Sequence, residues 1–254
     1  LSEAVARMVN SQINELADRC VKSNETRHYF DIAVIGYGQE AYSAWNGSLE
    51  GRDFVTPEEI RDNPFMKKMV KEEVRTRKGI AIKEVEKKQW MTARHDGSWT
   101  HMDKAFKRAE GLLENWMKQH HDKDCYPPTI INITDGEYNG VSHDEMQQLS
   151  NQLKSMFTND GNVLLFNIHI VPGHTESVVF PASLGELNHN GYGEKLYNMA
   201  SLLPLNYNEQ IRAIFGDKQT DIRYHAMGVN TGMERLVKMM KIGTLSSMLV
   251  NNNQ

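Results

Sequence analysis

Two short stretches carry residues whose types and spacing could do chemistry. In the first, Pro127 and Pro128 precede the apolar, β-branched run Ile130-Ile131-Asn132-Ile133, which ends abruptly in Thr134-Asp135-Gly136-Glu137. The run reads as a buried strand that delivers a carboxylate into a loop at its C-terminal edge, where open α/β sheets bind ligands. Asp-Gly after a strand is also ordinary turn chemistry, so Asp135 alone leaves a turn and a ligand role both open. In the second stretch, Gly97-Ser98-Trp99-Thr100 leads into a long amphipathic segment. Thr100 there is either a helix-capping hydroxyl or a hydroxyl presented to a ligand from a loop.

Other reactive residue types fit structural roles. His120 and His121 are adjacent to Asp122, but neighbours on a helix do not share a face and no further histidine stands at zinc-site spacing, so they mark a solvated helix end. His169 and His174 lack a Gly-x-Ser-x-Gly elbow and are expected in the core or a loop. Gly36 and Gly38 flank Tyr37 without a following phosphate cradle, which argues against a dinucleotide site and for strand-end geometry.

The elements that must position these residues follow from periodicity. Ser2 opens a helix with Val5, Met8, Val9, Ile13, Leu16, Ala17 and Cys20 at three- and four-residue spacing. Ile32–Ile35 is continuously apolar, as a strand of a parallel sheet covered on both faces should be. Thr56-Pro57-Glu58-Glu59 supplies a capping residue, a first-turn proline and a glutamate for a short helix stopped by Asn63-Pro64. Val74 to Glu86 alternates like a ribbon or edge strand. Met102, Ala105, Phe106, Ala109, Leu112, Leu113 and Trp116 line one face of a helix that Thr100 would enter. Ser142 and Glu145 form a capping box for the next helix, Asn162–Val171 gives a third buried strand, and helices over 193–203 and 207–215 precede a strand at 223–229. Met233, Leu236, Val237 and Met240 define a closing helix, and 251–254 should fray. This alternation predicts an α/β fold with one mostly parallel central sheet and helices on both faces.

The bulk properties exclude several classes. The 254 residues and 39% hydrophobic content suffice for an ordinary core. With 29 basic against 33 acidic residues, net −4, no global basic field attracts nucleic acid or a membrane surface. No run approaches the roughly 20 apolar residues of a bilayer span. Cys20 and Cys125 give no disulfide framework, which favours a reducing compartment.

Taken together, Gly97-Ser98-Trp99-Thr100 before a long helix and Ile131-Asn132-Ile133-Thr134-Asp135-Gly136-Glu137 at a strand end resemble the second and third parts of the metal-ion-dependent adhesion site of a von Willebrand factor A domain. The likeness runs from the first helix to Met239-Met240-Lys241-Ile242-Gly243-Thr244 and is strongest to the stand-alone bacterial, intracellular members. It implies a Rossmann-like three-layer sandwich over 1–244, with 39–92 as an insertion or edge region and 245–254 as a tail. It implies a non-catalytic, cytoplasmic protein that binds Mg2+, with Mn2+ or Ca2+ as alternatives, through Thr100 and Asp135. Ser98, Gly136 and Glu137 would form the rim or outer shell, and a protein partner's Asp or Glu would complete the metal. Hydroxyl, carboxylate and water oxygens suit such a hard cation.

One departure from the family pattern is large. The family's first strand and its Asp-x-Ser-x-Ser loop have no counterpart here, because Leu1 already begins the first helix. In the family this strand is mid-sheet, and omitting it would leave backbone groups unsatisfied at about 1–3 kcal/mol each. The expectation is therefore that the strand precedes Leu1 or is donated by a partner. Two rival readings are a metal-free scaffold of the same fold and a Mg2+-dependent hydrolase on a similar sheet.

Overall fold

A computed structural model describes residues 2–22, 25–76, 79–94, 99–121, 123–171, 173, 176–187, 191–216, 218–232, 235, 236, 238, 239 and 242. Gly97, Ser98, Asp122, His174, Met233, Val237, Met240 and 251–254, all given readings from the sequence, lie outside these residues. The chain forms two compact units, 1–98 and 99–254, each with its own interior.

In the first unit, α1 (Ser2–Arg19) buries Ile13 and Ala17. Strands β1 (Ile35–Tyr37) and β2 (Ala41–Ser43) follow, then the short helix α2 (Pro57–Asp62) and the long strands β3 (Met66–Thr76) and β4 (Gly79–Gln89). The interior gathers Ile13, Trp45, Leu49, Val55, Ile60 and Trp90. Asn10 ties α1 to the end of β4, donating to the Met91 carbonyl at 2.8 Å and accepting from the Trp90 amide at 2.6 Å.

The expectation that Ile32–Ile35 continues a parallel sheet is corrected here. β1 pairs antiparallel with β2 around a tight turn in which the Gly38 amide donates to the Glu40 carbonyl. Gly36 lies mid-strand, and a Cβ there would fall 2.5 Å from the Tyr42 ring, so the missing side chain makes room for a cross-strand aromatic. Ile32 instead forms an isolated antiparallel bridge with Val55. The ribbon expected near 74–86 is present and longer, with β3 and β4 antiparallel from Met66↔Gln89 to Thr76↔Gly79.

The second unit is built on α3 (Met102–His120), β5 (Thr129–Thr134), α4 (His143–Ser155), β6 (Leu164–His169), β7 (Val178–Val179), α5 (Gly191–Met199), α6 (Asn208–Phe215) and β8 (Met227–Val229). The strands form one four-stranded sheet in the order β7-β8-β6-β5. β5, β6 and β8 run parallel, and the short β7 lies antiparallel on β8. The architecture is thus mixed α/β with a mostly parallel sheet.

β6 is buried along its whole length, as its apolar run requires. Its one amide side chain, Asn167, is in register with Asn132 of β5 and accepts from the Asn132 side chain at 2.9 Å. Asn167 in turn donates to the Leu196 carbonyl of α5 at 2.7 Å. A buried polar group left alone costs about 1–3 kcal/mol, so this chain of bonds fixes α5 against the sheet as well as satisfying both amides.

Candidate functional site

β5 ends at Thr134, and the next six residues turn sharply at the C-terminal edge of the sheet. The turn is built locally. The Thr134 hydroxyl accepts from the Gly136 amide at 3.0 Å, and Asp135 Oδ1 accepts from the Glu137 amide at 3.3 Å. Gly136 takes φ +90° and is buried; a Cβ there would fall 2.7 Å from Tyr192 Cβ and 3.0 Å from His169 Nε2. Only glycine combines that backbone with that closeness.

His169, at the end of β6, steadies the loop from beneath. It is 1% exposed, and its Nε2–H donates to the Asp135 carbonyl at 2.9 Å. Because a carbonyl only accepts, the proton sits on Nε2. Burial pushes the imidazole below its ordinary range, outweighing the Asp135 contacts that act the other way, and the ring is neutral near pH 7. The expectation of a core histidine holds, but its contact with the Asp135 loop was not foreseen.

The loop holding Thr100 is joined to this turn by a residue that the sequence did not single out. The Thr100 amide donates to Asn139 Oδ1 at 2.9 Å, and the Asn139 amide donates to the Thr100 carbonyl at 2.9 Å. Gly140 follows with φ +76°, and a Cβ there would lie 2.6 Å from the His101 ring. Asn139-Gly140 is legible as a turn signal; that its amide would grasp a segment 39 residues away is not.

Thr100 does not cap α3. The capping position is His101, which makes no side-chain cap bond, so the hydroxyl of half-buried Thr100 is set one residue further out. In the first turn, buried Asp103 lies 3.3 Å from the Lys107 ammonium and 3.4 Å from His101 Nδ1. α4 starts from the expected capping box, with Ser142 Oγ accepting from the Glu145 amide at 3.2 Å and Glu145 accepting from the Ser142 amide at 2.9 Å. These Ser142 bonds hold the Glu145 carboxyl below its ordinary range.

Tyr138 and α5 complete the rim. Tyr138 OH is 3.1 Å from His143 Nδ1, and the Lys195 ammonium stands over the Tyr138 and Tyr192 rings, 5.8 and 5.4 Å from their centroids. Trp99, beside Thr100, stacks on His101 and is largely exposed.

Thr100 and Asp135 therefore stand on two loops joined through Asn139, Gly136 is the buried pivot, and Glu137 is exposed beside Asp135. The donor set is hydroxyl and carboxylate oxygen, which fits a hard divalent cation whose remaining ligands are other oxygens or water. Among the described residues, no three His, Cys, Asp or Glu side chains gather to hold a metal without such help. His120 packs its ring on Trp116, as a structural helix-end histidine. No described helix is long and apolar enough to cross a membrane, and both cysteines are free thiols. Compared with protein-family models, curated proteins and solved structures, the chain matches none.

Proposed function

We propose that the Thr100–Asp135 edge is a Mg2+-dependent adhesion site of von Willebrand A type. It belongs to the second compact unit, 99–254, read as a non-catalytic Rossmann-like fold that captures an Asp or Glu of a protein partner. The observation that carries this reading is the reciprocal Thr100–Asn139 bonding, which ties the loop with the hydroxyl to the loop with the carboxylate. Thr100 Oγ1 and an Asp135 carboxylate oxygen, directly or through water, would hold the ion, and Glu137 would stand at the rim. When bound, the ion supplies Lewis acidity and an open position that an acidic side chain fills. The protein's own part is to fix the two oxygens: Asn139 positions Thr100, and His169 and Gly136 position Asp135. A cytoplasmic location belongs to the same proposal.

Calorimetric titration with Mg2+ tests it. Asp135→Asn keeps an oxygen able to accept from the Glu137 amide while removing the charge, so the turn survives and the ligand is weakened. We expect Asp135→Asn and Asp135→Ala each to lose at least about tenfold in Mg2+ affinity, which corresponds to about 1.4 kcal/mol. Asp135→Asn should unfold at the wild-type temperature. Equal Mg2+ affinity in wild type and Asp135→Ala would remove the metal role and leave Asp135 as a turn residue.

A further inference from the structure

We propose that Lys195 is a second recognition point at this edge, so that the partner presents two acidic side chains close together rather than one. The inference rests on the adhesion-site reading for the first of these acids and extends it to the second.

The argument begins with how the ammonium is held. Two aromatic faces within about 6 Å attract a cation without neutralising it. Lys195 has both Tyr138 and Tyr192 at such distances, and among the described residues no carboxylate lies within 4.0 Å of its ammonium, although Glu194 is its neighbour in sequence. Burial, and then the neighbouring Tyr192, hold the Tyr138 phenol above its ordinary range, so this ring faces the ammonium as a neutral phenol. The positive charge thus remains available to an anion from outside.

The cation is also tied to the Asp135 loop by its supports. Tyr138 is three residues beyond Asp135, and Tyr192 packs its Cβ over Gly136 so closely that a Cβ on Gly136 would lie 2.7 Å away. α5 cannot drift from this position cheaply, because the Leu196 carbonyl accepts from buried Asn167. Lys195 is half-buried, and Tyr192 is 42% exposed beside it. One fixed cation and one carboxylate-seeking metal position on the same rim match an acidic pair on a single extended segment. The rings orient the ammonium before binding, which lowers the ordering cost of the contact.

Short acetylated peptides in which one Asp is followed, one to three residues later, by either Glu or Gln are the probes, titrated into the protein and followed by NMR with Mg2+ or with chelator present. In Mg2+, the best Asp/Glu peptide should bind about three- to fivefold tighter than its Asp/Gln counterpart, the range of a partly exposed ion pair. Lys195→Ala should abolish that ratio while leaving the Asp/Gln peptide's affinity unchanged, and Lys195→Arg should keep it. Equal affinities for the two peptides in wild type, or a ratio that survives Lys195→Ala, overturns the inference while Mg2+-dependent binding stands. A Lys195-dependent preference that persists undiminished in chelator supports the lysine's role and rejects the metal reading. Absence of binding by every peptide rejects both.

Discussion

Gly136 shows how one residue can decide a site without touching a ligand. Its φ of +90° and the crowding from Tyr192 and His169 permit no side chain, and its backbone carries Asp135 and Glu137 into position. Gly136→Ala is therefore expected to destabilise the protein by about 2 kcal/mol or more, as strain plus overpacking, measured by urea unfolding. A loss under about 0.5 kcal/mol would mean that the turn relaxes freely. The sequence made Asp135, Gly136 and Glu137 conspicuous because a strand-ending Asp-Gly is a local signal. It left Asn139 obscure, because the value of that amide depends on Thr100, to which only the folded chain brings it. His169 was legible as a core histidine, but the carbonyl that accepts its proton lies 34 residues away.

Element boundaries were most legible where their chemistry is local. Both capping boxes, Thr56 with Glu59 and Ser142 with Glu145, are present with both reciprocal bonds. Thr56 Oγ1 accepts from the Glu59 amide at 3.2 Å, and Glu59 Oε2 accepts from the Thr56 amide at 2.9 Å. Thr56→Ala should cost about 1 kcal/mol in urea unfolding, and Thr56→Ser should restore most of it; equal stability of all three proteins would show that α2 does not depend on its cap. Strand pairing was less legible. Ile32–Ile35 has the apolar run of a parallel strand, but a hairpin turn at Gly38 and the room above Gly36 pair the chain with Ala41–Ser43 instead. Hydrophobic runs specify burial, and only the partner strand specifies direction. The Asn132–Asn167 pair escaped for a similar reason: each amide interrupts an apolar strand, and only their shared register turns two interruptions into one bond.

At the scale of the whole molecule, buried His169 and half-buried His225 make stability depend on pH on the acid side. Burial pushes both His169 and His225 below the ordinary value of 6.5; at His225, repulsion by Lys154 adds to burial. The unfolded chain therefore binds more protons than the native protein as pH falls past 6.5, so this contribution to stability is complete above 6.5 and is lost as pH drops through the depressed folded values. Stability should decline from pH 7 to pH 5, by at most about 1.4 kcal/mol per pH unit for each titrating histidine. His225→Phe, which preserves a ring against Tyr197, should make the decline shallower; an unchanged slope would clear His225 of the effect. The two compact units also differ in how they house their indoles. Trp45 and Trp90 of the first unit are each 1% exposed, whereas Trp99 is 53% exposed and adjoins Thr100. The fourth indole, Trp116, is half-buried and stacked on His120, so the reddest emission comes preferentially from the more exposed Trp99, one residue from the proposed metal-binding hydroxyl; a Trp116→Phe background sharpens this optical label, and the blue edge supplies an internal reference. Occupancy of that edge can be followed in the unmodified protein, with no dye attached.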